Sequence, residues 1–591
     1  MKRSVGNFAW LGPVVVALAG VGMLCWSWGT WPDAEVDFGR ELYVPWQLSQ
    51  GKVLYRDIVS YFNGPLSPYL HALLFKTFGV SLHVLVWFNL LVLALLVALL
   101  YRLIAQSAGH LAATACGVAF FVLFAFAQFV IGGNYNYVCP YSYELTHGIT
   151  LSVAAIACLS QWGRTNRRGW LIASGVLLGL VFLTKAEIFF AAAMALAIGV
   201  VAELWINKMS LRRALIEAMV FVAAAILPVV IAIALLMLHL SLQESLSGIV
   251  GAWKWVGNKQ LVSMPFFTTM AGTNDVAESM RIMLCWTGAY FGVFGLPLII
   301  GLLLRKGGTQ RAFVVVMVFV IWLGAGLYWW TQIDWNQFIR PIPLLLSTAA
   351  FVVIVQIVRR KSRHVLQLIL LIWSTVMLAK IFFNAHIYHY GFALAMPATL
   401  MAIVLPIGWL PAWIDRRGGC GWVLRSATIA AIVVTIWAHG HVLERYWSHK
   451  TIVVGSGGDE FYADERGVII NTAIKELARV APKNATLVVL PEGLILNYLA
   501  RLENPTGQLN FTPPAIVMYG EQEMLQAMRQ HPPEFVVLTV MDTAEYGPRF
   551  FGQDYARTMG AWIDQNYGLV RVLGLGSFRG AKFGMLLLHR K

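Results

Sequence analysis

Residues 82–104 read LHVLVWFNLLVLALLVALLYRLI, with Arg102 the only formal charge. A helix of about 20 such residues crosses the roughly 30 Å of hydrocarbon in a bilayer. Comparable runs return at 8–29, 111–132, 146–161, 170–184, 186–206, 214–240, 281–304, 312–330, 342–358, 365–383, 391–413 and 422–440. The fold class is therefore an α-helical polytopic membrane protein with about 13 transmembrane helices. Composition agrees: 59% of the 591 residues are hydrophobic and 12% charged, too apolar to close one polar surface around one core.

Beyond residue 440 the texture becomes charged, mixed and proline-dotted. The expected division is a transmembrane domain over 1–440 and a soluble α/β domain over 441–591. In the latter, Ala485–Leu490 and Glu534–Val540 read as strands, 520–530 and 551–566 as helices, and Phe583–His589 as a closing strand. Ala17-Leu18-Ala19 fits a cleavage site, but the apolar run continues through Trp26 and Trp28, which makes 8–29 an uncleaved anchor with Lys2 and Arg3 in the cytoplasm. The six cysteines are scattered and lack metal-ligand spacing.

The net charge of +15 would point to nucleic acid in a soluble chain. Here it lies in short loops that alternate in side. Arg164, Arg167 and Arg168; Lys208, Arg212 and Arg213; Arg305, Lys306 and Arg311; Arg359, Arg360, Lys361 and Arg363; and Arg416 with Arg417 all fall on one face. Basic loops mark the cytoplasm, so the C-terminal domain is expected outside, in the periplasm of a bacterial inner membrane. The longer outer loops carry the acids and aromatics. The first of them, 30–81, holds Asp33, Glu35, Asp37, Arg40 and Glu41, then a short helix to Gln50, Asp57, Asn63 and an interfacial helix over 67–79. A carboxylate partly desolvated at a membrane surface has its pKa raised into the range of a general base. The same residues also fit a solvated acidic loop.

The order of D-F-G-R-E (37–41), L-Y-x-D (54–57), G-P-L-x-P-Y (64–69) and F-L-T-K (182–185) resembles the C-type integral membrane glycosyltransferases. Within these it is similar to the group of bacterial aminoarabinose transferases and dolichyl-phosphate-mannose:protein mannosyltransferases. The resemblance implies an inverting glycosyltransferase that takes a sugar from a polyprenyl-phosphate donor to a glycan, lipid or protein acceptor at the outer face. It makes Asp37 the position of the base, with Asp57 the second carboxylate of the candidate catalytic pair. Where aminoarabinose transferases carry a lysine before their Pro-Pro-Leu-Gly-Tyr stretch, this chain has Asn63-Gly64. One expected phosphate partner is thereby absent.

A leaving lipid phosphate needs cations near the outer interface. Lys185 and Arg340 are the candidates, and their plainer readings are pairs with Glu187 and Asp334. The candidate substrate-binding set is Glu41, Tyr61, Asn63, Lys185, Glu187, Arg340 and His386. His386 and His389 fit an interfacial belt better than a zinc site, for want of a third ligand in the cluster. No cofactor, metal site or nucleic-acid partner is implied, and the absence of a Walker A sequence disfavours ATP-driven transport. A secondary transporter or lipid flippase, or a non-catalytic assembly protein, remains the alternative.

Overall fold

The computed structural model describes residues 10–304, 309–359, 364–574 and 583–591. Lys2, Arg3, Arg305, Lys306, Arg360, Lys361 and Arg363 lie outside them. Eight described helices are long and apolar enough to cross a membrane. They are Leu82–Ala108, Ala186–Ile206, Leu211–Leu236, Pro265–Leu303, Gln310–Gln332, Val365–Asn384, Gly391–Arg416 and Gly421–Trp447. Four shorter apolar helices, Leu11–Trp26, His110–Ala125, Arg168–Phe182 and Ile342–Val358, accompany them, as does Tyr143–Thr165. Large side chains such as Leu211, Met219, Phe313 and Phe351 stand exposed on these helices. Lipid is the medium that accepts such a surface, and helices satisfy their own backbone within it. The chain is a multi-pass membrane protein.

Two boundaries move in ways that matter. Helix Tyr143–Thr165 starts before the expected 146, which carries Glu144 into its first turn. Hydropathy discounts that turn because it is polar, yet Tyr143, Glu144 and His147 are buried against neighbouring helices rather than lipid. Helix His110–Ala125 stops short of 132. The following irregular stretch is buried, and polar side chains satisfy its carbonyls: Asn89 donates to Val138 O at 2.8 Å and Asn134 to Cys139 O at 2.7 Å. Non-helical backbone at such depth persists only where protein shields it.

Arg168 and Arg213 lie 2.9 and 4.0 Å from the buried Glu217, which joins two of the charged loops. Helices Phe38–Ser49 and Leu66–Phe78 form the loop between the first two apolar helices.

After Trp447 come β1 (Ile452–Val454), β2 (Phe461–Ala463), β3 (Leu487–Leu490), β4 (Phe535–Thr539), β5 (Tyr567–Gly574) and β6 (Gly584–Arg590). β1 and β2 pair antiparallel, and the main sheet runs β3-β4-β6-β5 with β3 and β4 parallel. All four residues of β3 are buried, as the continuous run Leu-Val-Val-Leu requires of a strand covered on both faces. Helices Arg466–Val480 and Leu494–Ala500 and edge strand β5 had no clear sequence signal. Helix Arg557–Asn566 begins later than 551 because 551–555 close a small turn through Gly552.

This domain packs on the loop between the first two apolar helices. Tyr462 N–H donates to Gly29 O at 2.9 Å, Val59 N–H to Gly507 O at 2.9 Å, and Asn504 N–H to the Tyr43 hydroxyl at 2.8 Å. Gly39 lets the backbone of Leu494–Ile495 approach so closely that an added Cβ would fall 2.1 Å from Ile495 N.

Candidate functional site

The first outer loop enters helix Phe38–Ser49 through Asp37, at φ +61° and ψ −44°. A non-glycine residue at positive φ is uncommon and needs support from its surroundings. Support comes from the C-terminal domain, since Asp37 N–H donates to Glu492 Oε1 at 2.7 Å. The Asp37 carboxylate itself has one weak partner, Arg40 Nη1 at 3.4 Å, and keeps 24% of its side-chain surface open to a cavity. Burial of the surroundings pushes its pKa up, against the pull of Arg40 and Lys185.

Arg40 is the hub. Its Nη2 donates to Tyr141 O at 2.7 Å, its Nε lies 3.3 Å from Glu41 Oε1, and its guanidinium stands over the Phe62 ring. Asp37, Glu41, Glu144 and Glu492 surround it and keep it protonated despite burial. Two hollows flank it. One of about 210 Å³ is lined by Glu35, Asp37, Gly39, Arg40, Glu492 and Asn510. The other, of about 300 Å³, is lined by Arg40, Glu41, Ser60, Asn63, His71 and Glu144.

Of the sequence candidates, Glu41 and Asn63 share this second hollow. Glu41 Oε2 accepts from Tyr143 N–H at 3.1 Å, and burial, then repulsion from Glu144, raises its pKa to about 8. Asn63 Nδ2 donates to Glu144 Oε2 at 3.2 Å, while its Oδ1 is buried without a partner among the described residues. Lys185 belongs to the same neighbourhood, 5.0 Å above the Tyr141 ring, with its pKa lowered by burial. Glu187 pairs with Lys380 at 3.7 Å, and Lys380 in turn sits over the Tyr390 ring.

The remaining candidates stand apart. Arg340 Nη1 donates to Phe383 O at 2.6 Å, whereas its Nε has no partner among the described residues. The His386 ring lies 4.4 Å from that of Tyr388 at a tilt of 31°, bonds the Asn384 carbonyl through Nδ1, and has its pKa lowered to about 4 by burial. Tyr61 stacks on Tyr55 and donates to its carbonyl at 3.0 Å. Asp57 is engaged in its own turn: it accepts from Val53 N–H at 2.7 Å and pairs with Arg56 at 3.0 Å, and these contacts lower its pKa.

Four site neighbours escaped the sequence. Lys380 lies inside an apolar run, where an ionisable residue is a functional signal by default. Glu144 opens a helix and carried a weaker form of the same signal. Arg40 was read only as part of the loop. Glu492 had none.

No family model and no curated protein sequence matches the chain. In three dimensions it superposes on the crystal structure of ArnT from Cupriavidus metallidurans bound to undecaprenyl phosphate, with TM-score 0.54 and 12% identity over 98% of both chains. The chain shares that architecture, in line with its resemblance to the C-type glycosyltransferases. Likeness at this identity establishes architecture alone, over both the membrane bundle and the C-terminal domain. A second match is the Archaeoglobus fulgidus oligosaccharyltransferase complexed with zinc and sulfate, at TM-score 0.47 and 14% identity over 90% of this chain and 68% of that one.

Proposed function

We propose that the protein is an inverting glycosyltransferase that moves a sugar from a polyprenyl phosphate to an acceptor at the outer face of the membrane. The observation that carries this reading is Asp37: a carboxylate of raised pKa, open to a cavity, flanked by Arg40 and Lys185. In the mechanism, Asp37 takes the proton of an acceptor hydroxyl or amine. The freed lone pair attacks the anomeric carbon opposite the phosphate, and the carbon–oxygen bond to phosphate breaks with inversion. The electron pair leaves on the lipid phosphate, which Lys185 and Arg40 meet. The whole-length fold likeness to a protein crystallised with undecaprenyl phosphate supports a lipid-phosphate donor. Glu41 and Asn63 are proposed to hold sugar hydroxyls in the 300 Å³ hollow.

Thirteen crossings, a cytoplasmic N-terminus and a periplasmic domain from 441 onward complete the proposal. Reporter fusions at residue 360 should read cytoplasm and at 460 the outer side; the same side for both would refute it. Mass spectrometry of envelope glycans and lipids from cells with and without the gene tests the activity. A sugar missing without the gene names the reaction, and unchanged spectra across growth conditions would remove the enzyme reading.

A further inference from the structure

The C-terminal domain does more than cover the loop. Glu492 lies just beyond β3, at the carboxyl end of the parallel pair β3–β4, where open α/β sheets place ligand-binding groups. Its turn is built for one geometry. The Thr539 hydroxyl, at the end of β4, donates to the carbonyls of Leu490 and Glu492 at 3.2 Å each, and Phe511 N–H donates to Pro491 O at 2.8 Å. Gly39 then allows the next residues, Leu494 and Ile495, to seat against the start of the loop helix. The outcome is a carboxylate from residue 492 accepting the amide of residue 37 at 2.7 Å, on the wall of the cavity into which Asp37 opens.

We infer that Glu492 is a positioning residue of the Asp37 site: the C-terminal domain supplies the acceptor that holds the Asp37 backbone in its left-handed conformation and so aims the carboxylate at the cavity. This rests on the proposed role of Asp37 as base. The group that matters is a hydrogen-bond acceptor at a fixed distance, and charge is secondary, since Arg40 already has Asp37, Glu41 and Glu144 beside it. Glutamine keeps that acceptor at the same reach. Aspartate keeps the charge but withdraws it by one methylene. Alanine removes both.

The test uses full-length protein in lipid nanodiscs with a lipid extract containing the native polyprenyl-phosphate sugars, and reads transfer by mass spectrometry. Misplacing a reacting group by about 1 Å costs on the order of 10²-fold. Glu492→Gln should stay within a few-fold of wild type, while Glu492→Asp and Glu492→Ala should lose on the order of 10²-fold in kcat with KM for the donor little changed. An active aspartate variant beside a dead glutamine variant would overturn the inference, because charge would then be the requirement. So would an alanine variant with wild-type kcat beside a dead Asp37→Asn. Wild-type transfer by Asp37→Asn would instead bring down the reading of Asp37 as base, and this inference with it. Should the alanine variant fail to fold, the ranking of glutamine against aspartate still decides.

Discussion

The turn at 33–36 and the helix start at 37–41 are consecutive, carry two carboxylic acids each, and are treated by the fold in opposite ways. Asp33 is saturated. It accepts from the amides of Glu35, Val36 and Gly133 and pairs with Arg466 at 2.8 Å. Burial alone would push its pKa up, but Arg466 and Lys450 outweigh that and hold it at about 2. Asp37 keeps 24% of its side-chain surface open where Asp33 keeps none, yet its carboxylate has a single partner at 3.4 Å among the described residues and its pKa rises. Desolvation pushes both groups up, so the donors and cations gathered around Asp33, and weaker around Asp37, decide which carboxylate is structural and which is left free for chemistry.

The largest effect should come from breaking the saturated side. Asp33→Ala takes the acceptor from the amides of Glu35, Val36 and Gly133 at once and one of three carboxylates from Arg466, and each buried donor left unsatisfied costs about 1–3 kcal/mol. Thermal melts of purified protein should show a large drop in midpoint; an unchanged midpoint would mean the network is not holding the two domains together. On the unsaturated side, Asp37→Asn should cut turnover by roughly 10²-fold or more while leaving the melt near wild type. A normal rate would end its assignment as base.

The third experiment concerns pH. Glu35 lies between the two regions, and burial first, then Asp33, raises its pKa to about 8 against the pull of Arg466. The folded chain therefore keeps a proton that the unfolded chain, with Glu35 near 4.5, has released. Stability should fall as pH rises from about 4.5 to 8. Asp33 acts in the reverse sense, its contribution being present above about 3.8 and lost as pH falls toward 2. Glu35→Gln should flatten the decline between pH 5 and 8, and an unaltered slope would assign it to another group. The smallest effect is expected at Asp57, whose pair with Arg56 is half exposed and worth about 1 kcal/mol or less. Asp57→Asn should lose no more than a few-fold in turnover or raise KM. A dead Asp57→Asn beside a normal Asp37→Asn would exchange their roles.

Much of this frame is legible in sequence, because lipid and loop leave different residues behind. The apolar runs, the loop helix ending near Gln50, the interfacial helix at Leu66–Phe78 and the strand at Gly584–Arg590 all follow from local periodicity. What local reading misses is proximity. Glu144 reaches Asn63 across 81 positions and Glu492 reaches Asp37 across 455, and nothing near either residue announces its partner. Helix Arg466–Val480 was overlooked for a related reason: its apolar face, with Ile470, Ala473 and Leu477, is short and set in charge. Its first residue, Arg466, is the one that meets Asp33.

The close seat of Gly39 against Leu494–Ile495 also sets an order in time. Ribosomes add about 5–20 residues per second, so the 455 positions between Asp37 and Glu492 correspond to on the order of 20–90 s of translation. Throughout that interval the loop helix has been made and its partner does not yet exist. The newborn chain thus passes through insertion with this seat unfilled, and the Asp37 backbone gains its acceptor only once residue 492 has emerged and docked.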